Sequence, residues 1–122
     1  MHTRIYKEFT FEAAHSLSKG LNIKEKYKNL HGHSFKVQIY ISGNVNPNTG
    51  LIEDFSKVDK IIKPIKETLD HNYLNQIDGL ENPTLENISH WVWNKLKNDI
   101  KGLNKIKIKR GSCGEGCEIA IY

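Results

Sequence analysis

Residues 33–41 constrain the fold most, because Phe35, Val37, Ile39 and Ile41 alternate with Lys36, Gln38 and Tyr40. Apolar side chains at every second position mark a strand with one dry face and one wet face. Such a strand is stable only in a sheet whose apolar face is covered. At its start stand His31 and His33, two apart in Leu30-His31-Gly32-His33-Ser34-Phe35. In an extended chain residues i and i+2 point to the same side, so both imidazoles can reach one ion. His15 ends another strand-like run, Phe9-Thr10-Phe11-Glu12-Ala13-Ala14-His15. If the two strands pair, three rings converge. Three neutral imidazoles with one open position are the usual ligand set of a catalytic zinc. Taken alone, a His-x-His pair is more often a surface feature, or two satisfied histidines at a sheet edge, than a metal site.

The rest of the chain supplies the remaining layers. Residues 3–10 read as a first strand, continued after a bend by Phe11 to His15. Residues 16–30 are polar and lysine-rich and read as a loop. Gly43-Asn44 and Asn46-Pro47-Asn48-Thr49-Gly50 punctuate a turn. A helix follows, capped by Asp54 or Ser56, with Val58, Ile61, Ile62, Ile65 and Leu69 at helical spacing. Pro64 lies inside that pattern and predicts a kink or an irregular turn. A second helix opens at Asn82-Pro83-Thr84, with Asn82 or Thr84 as cap, and carries Leu85, Ile88, Trp91 or Val92, Leu96 and Ile100. Ile106 and Ile108 mark a third strand and Glu118 to Tyr122 a fourth. The order β-β-α-α-β-β, without strict alternation, predicts an α+β domain: a four-stranded antiparallel sheet with two helices on one face. The open edges of so small a sheet favour oligomerisation.

The length of 122 residues and 38% hydrophobic content fit one domain spanning 1–122. No apolar run approaches the roughly 20 residues of a membrane span. The start, Met-His-Thr-Arg-Ile-Tyr-Lys-Glu, lacks an apolar secretory segment, so a cytoplasmic protein with no membrane partner is expected. Cys113 and Cys117, in Ser-Cys-Gly-Glu-Gly-Cys, are then expected as two free thiols beside a glycine-rich turn. The net charge is +4, concentrated in Lys24, Lys26 and Lys28 and in Lys105, Lys107, Lys109 and Arg110. Either run favours an anionic partner. No nucleic-acid-reading motif accompanies them; a phosphorylated small molecule is the other option, and many of these lysines are expected simply to solvate outer faces.

Five short motifs carry a family resemblance across Ile5 to Tyr122. They are Phe11-Glu12-Ala13-Ala14-His15, His31-Gly32-His33-Ser34-Phe35, Gly50-Leu51-Ile52-Glu53-Asp54-Phe55, Leu69-Asp70-His71-Asn72-Tyr73-Leu74-Asn75 and Asn82-Pro83-Thr84-Leu85-Glu86. Together, in this order, they resemble the 6-pyruvoyltetrahydropterin synthase and 6-carboxytetrahydropterin synthase family. The resemblance implies the tunnelling fold (T-fold), a homohexamer, a zinc site and a pterin pocket. It implies His15, His31 and His33 as Zn2+ ligands, Asp70 and His71 as a catalytic pair, and Thr84 as a substrate contact. Its substrate would be 7,8-dihydroneopterin triphosphate and its first product 6-carboxy-5,6,7,8-tetrahydropterin, which feeds queuosine and other deazapurines. Without the resemblance, Asp70-His71 reads as a helix C-terminal cap.

The chain departs from the family pattern twice. The 6-carboxy branch has a cysteine four residues before the first histidine of His-x-His, where this chain has Tyr27. The 6-pyruvoyl branch has one six residues before, where Glu25 stands. Some members carry glutamate instead and cleave the side chain to 6-hydroxymethyl-7,8-dihydropterin for folate, so Glu25 is a candidate base or an ordinary loop residue. The second departure lies near Arg110-Gly111, where the family's pterin-holding glutamate is expected. Glu115 is the candidate replacement and Glu118 its rival, since a carboxylate can accept two parallel N–H bonds. A zinc- or pterin-binding paralogue without catalysis remains the reading of another class.

Overall fold

The computed structural model describes residues 1–17 and 29–121. Strand β1 (Arg4–His15) pairs antiparallel with β2 (His31–Ser42), β2 with β3 (Leu103–Arg110), and β3 with β4 (Glu115–Ala120). The sheet order is β1-β2-β3-β4. Helices α1 (Phe55–Leu69) and α2 (Leu85–Leu96) lie between β2 and β3 in sequence. The helices cover the face that carries Phe9, Phe11, Phe35, Val37, Ile39, Ile106 and Ile108, all buried. The expected α+β order and antiparallel sheet are what the chain adopts. No helix among the described residues is long and apolar enough to cross a membrane.

β1 is one continuous strand from Arg4 to His15, without the expected bend, because every residue in it finds a partner on β2. In α1 the Asp54 carboxylate accepts the Ser56 N–H at 2.9 Å, and Val58, Ile62, Ile65 and Leu69 are buried. The helix runs through Pro64 to Leu69 rather than breaking there. Proline removes one N–H that would bond the carbonyl four residues back. Here that carbonyl belongs to Lys60, and both residues are exposed, so the gap falls on the wet side. In α2 the Thr84 Oγ1 accepts the Asn87 N–H at 3.1 Å. Its stripe of Leu85, Ile88, Trp91, Val92 and Leu96 is buried, and Ile100 is buried just beyond the helix end.

β4 begins at Glu115, earlier than the expected Glu118, and ends at Ala120. A short 3-10 turn, Gly111–Cys113, joins it to β3, and Gly114 follows with φ 66°. Gly114 and Gly116 carry no side chain, so the sequence shows no alternation where the strand starts. The pairing Arg110↔Glu115 closes this hairpin.

Candidate metal centre and adjoining cleft

The strand register sets His15 directly opposite His31 and Ala13 opposite His33. The side chains of His15, His31 and His33 therefore share the core face of the sheet at its end. One ligand atom from each lies within 4.8 Å of the others, as capture of a single ion requires. The ring centroids are 4.6, 5.0 and 4.9 Å apart. Below them Phe11 stacks on Phe35 at 4.7 Å, and the His15 and His33 rings stand edge-on to Phe35 at 5.8 Å.

Each ring is oriented by a group at its Nδ1. For His15 this is the Pro83 carbonyl at 3.0 Å, and for His31 the Asn29 carbonyl at 2.8 Å. A carbonyl only accepts, so Nδ1 donates and the lone pair resides on Nε2. The Nε2 of His15 is buried without a hydrogen-bond partner. A buried lone pair left unmatched is costly unless a cation uses it. For His33 the group at Nδ1 is the Cys113 Sγ, at 3.7 Å. Burial, first of all, lowers the His15 pKa to about 4, and the neighbouring imidazoles and Arg110 push the same way. Burial followed by the Arg110 charge also lowers that of His33. Both effects favour the neutral imidazole that a metal needs. Donor type, orphaned nitrogen and protonation state thus fit a zinc ion.

The Asp70-His71 pair is built on the edge of β1. Asp70 ends α1, and its Oδ1 accepts the Glu12 N–H at 2.8 Å while Oδ2 meets the His71 Nδ1 at 3.0 Å. The Glu12 bond, ahead of His71, lowers the Asp70 pKa. His71 adopts φ 59°, and its own N–H donates to the Glu12 carbonyl at 2.6 Å. The C-terminal cap and the Asp70–His71 contact are therefore the same structure. His71 and His33 line one open cleft of about 590 Å3, together with Ala14, Asn72, Tyr73 and Ser112.

Of the other expected site residues, Thr84 follows Pro83, which bonds His15, and the Glu115 charge acts on His33. Glu25 and Tyr27 lie outside the described residues. The Thr84 hydroxyl accepts from the α2 backbone and keeps its own proton to donate. Glu115 is half-exposed and its Oε1 contacts the Arg110 Nη2 at 2.7 Å, while Glu118 contacts Lys105 at 3.3 Å. Both cysteines are unbridged, as expected. The contact of Cys113 with His33 and the support of His15 by Pro83 were not readable from spacing. The glycine-rich turn around Cys113 was the one visible signal.

Fold and site together define an α+β protein with a three-imidazole centre at the end of an antiparallel sheet. Comparison then places it: residues 4–120 match the 6-pyruvoyl tetrahydropterin synthase family, and the chain belongs to that family. It is 40% identical over 110 residues to a 6-carboxy-5,6,7,8-tetrahydropterin synthase of Synechocystis, covering 85% of this chain and 83% of that one. It is 33% identical over 121 residues to a dihydroneopterin monophosphate aldolase of Pyrococcus furiosus, covering 99% and 96%. Its fold superposes on the 6-pyruvoyl tetrahydropterin synthase of Caenorhabditis elegans with a TM-score of 0.85 at 21% identity, covering 100% of this chain and 97% of that one. The chain is thus a T-fold pterin side-chain lyase by family.

Proposed function

We propose a zinc-dependent lyase acting on the side chain of 7,8-dihydroneopterin triphosphate and giving 6-carboxy-5,6,7,8-tetrahydropterin, on the queuosine route. The observation that carries this reading is the convergence of His15, His31 and His33 around an orphaned Nε2. The Synechocystis relative supports the product. His15, His31 and His33 would hold the metal. Zinc there would supply Lewis acidity that favours ionisation of the side-chain hydroxyls. Asp70 keeps the His71 Nδ1 protonated, which leaves Nε2 to accept and return a proton at a side-chain carbon. Thr84 and Glu115 are the contacts we assign to the pterin.

A second reading has specific support. No cysteine occurs between residues 16 and 33, and the Pyrococcus relative is named an aldolase. On this reading Glu25 takes the proton and retro-aldol cleavage gives 6-hydroxymethyl-7,8-dihydropterin. Mass spectrometry of the products formed by zinc-loaded protein separates the two, and would equally reveal a 6-pyruvoyl product. The carboxy product supports the first reading and the hydroxymethyl product the second. Loss of turnover in Glu25→Gln, with zinc content unchanged, would assign the base. No product from either dihydroneopterin or its triphosphate would leave a non-catalytic paralogue.

A further inference from the structure

The three imidazoles are not held alike. His15 and His31 each present Nδ1 to a backbone carbonyl, that of Pro83 at 3.0 Å and that of Asn29 at 2.8 Å. A carbonyl cannot donate, so each of these neutral rings has one tautomer that suits its partner. His33 presents Nδ1 to a side chain instead, the Cys113 thiol at 3.7 Å. A thiol is both a weak donor and a weak acceptor, so two arrangements are open. If S–H donates to Nδ1, the ring proton sits on Nε2 and that nitrogen cannot bind a cation. If Nδ1–H donates to sulfur, Nε2 keeps a lone pair for the ion. The thiol proton has another place to go, since the Ser112 Oγ lies 3.9 Å from the same sulfur.

The hairpin turn sets the sulfur where it is. The 3-10 turn Gly111–Cys113 is closed by the Gly114 N–H on the Gly111 carbonyl at 3.2 Å, and Arg110 and Glu115 clasp its base at 2.7 Å. Cys113 itself is exposed and unbridged, so neither core packing nor a disulfide holds it there. An independent observation points to a cation at the same centre: the His15 Nε2 is buried there without a hydrogen-bond partner. Among the described residues the converging donors are the three imidazoles and not Cys113, so the sulfur stands behind a ligand rather than in the ion's place. We propose that Cys113 is a positioning residue of the metal centre: its sulfur accepts the His33 Nδ1–H, its own proton turns to Ser112, and the His33 Nε2 is left for the ion. This inference rests on the zinc reading of the centre and not on which pterin reaction follows. Of the three ligands, His33 is then the one whose tautomer is set by a side chain in an exposed turn.

Zinc affinity tests this directly, measured by competition with a chromophoric chelator on the purified protein in its native assembly. Cys113→Ala should weaken zinc binding by roughly 10–100-fold, the usual scale for removing the partner behind a metal ligand. Cys113→Ser should recover most of that loss, because a hydroxyl oxygen also accepts from Nδ1. Cys117→Ser, which removes the thiol opposite Ile108 on β4, should bind zinc as wild type does. Urea midpoints of metal-free Cys113→Ala should match those of metal-free wild type, which separates positioning from a loss of fold. By imidazole nitrogen NMR of the zinc-loaded protein, the His33 Nδ1–H should exchange slowly in wild type and Cys113→Ser, and fast in Cys113→Ala. Equal zinc affinity in wild type and Cys113→Ala overturns the inference and leaves the zinc reading standing. A sulfur-to-metal charge-transfer band in cobalt-substituted protein, lost in Cys113→Ala, overturns it too, since Cys113 would then be a ligand. No zinc bound by wild type sinks the zinc reading and the inference together.

Discussion

At the scale of single residues, the imidazole cluster makes demands that solution chemistry can check. Removing one of three ligands lowers affinity steeply, because the remaining two do not enclose the ion. His31→Ala should therefore lose stoichiometric zinc on dialysis, read by atomic absorption. Retained metal would contradict the ligand assignment. In the metal-free protein His15 remains neutral down to about 4, while in the unfolded chain an ordinary histidine protonates near 6.5. Between those values the unfolded state holds the extra proton and the folded state does not, so stability decreases as pH falls through that window. The full loss is roughly 3 kcal/mol, reached below about pH 4. Urea midpoints of metal-free protein should be lower at about pH 4.5 than at about pH 7, and His15→Phe should flatten that difference.

At the scale of elements, the strands and the centre they carry were legible for one reason. Period-two alternation assigns each side chain to a face, so His31 and His33 necessarily followed Phe35 and Val37 onto the core side. The convergence of His15 was legible only through pairing, which the register Ala13↔His33 and His15↔His31 provides. The sequence signal failed where side chains are absent or where the contact is remote. Gly114 and Gly116 hid the start of β4, and Cys113 meets a residue 80 positions away. Pro64 sits inside α1 without ending it, and the carbonyl it leaves without a helical partner, that of Lys60, lies on the exposed side. Packing beneath the centre also gives a prediction. Phe35 is 1% exposed and stacks on Phe11. Phe35→Ala should cost about 3–5 kcal/mol of unfolding free energy and loosen zinc binding as well. A variant that loses stability but binds metal as tightly as wild type would show that the stacked rings do not position the histidines.

At the scale of the whole molecule, the sheet ends in two unequal edges. β1 is partly covered by residues 71–73, where Ala14 and Tyr73 form a parallel bridge. β4 has no further strand beside it among the described residues. An uncovered edge is a template for pairing with another chain. We therefore expect an assembly, a hexamer on the family resemblance, measurable by sedimentation velocity. A monomer at micromolar concentration would count against it. The cleft's His71, exposed with its partner Asp70 behind it, would then face whatever the assembly brings near.

The bond from His15 to the Pro83 carbonyl has a mechanical side. Pro83 immediately precedes the cap of α2, so one imidazole tethers the doorway of that helix to the end of the sheet. Filling the centre would stiffen the tether, and emptying it would let the first turn fray. Hydrogen exchange at the amides of residues 87–89 should slow on adding zinc, while that of mid-α1 amides stays constant. Seating a cation and anchoring a helix would be one event felt at opposite ends of a ring.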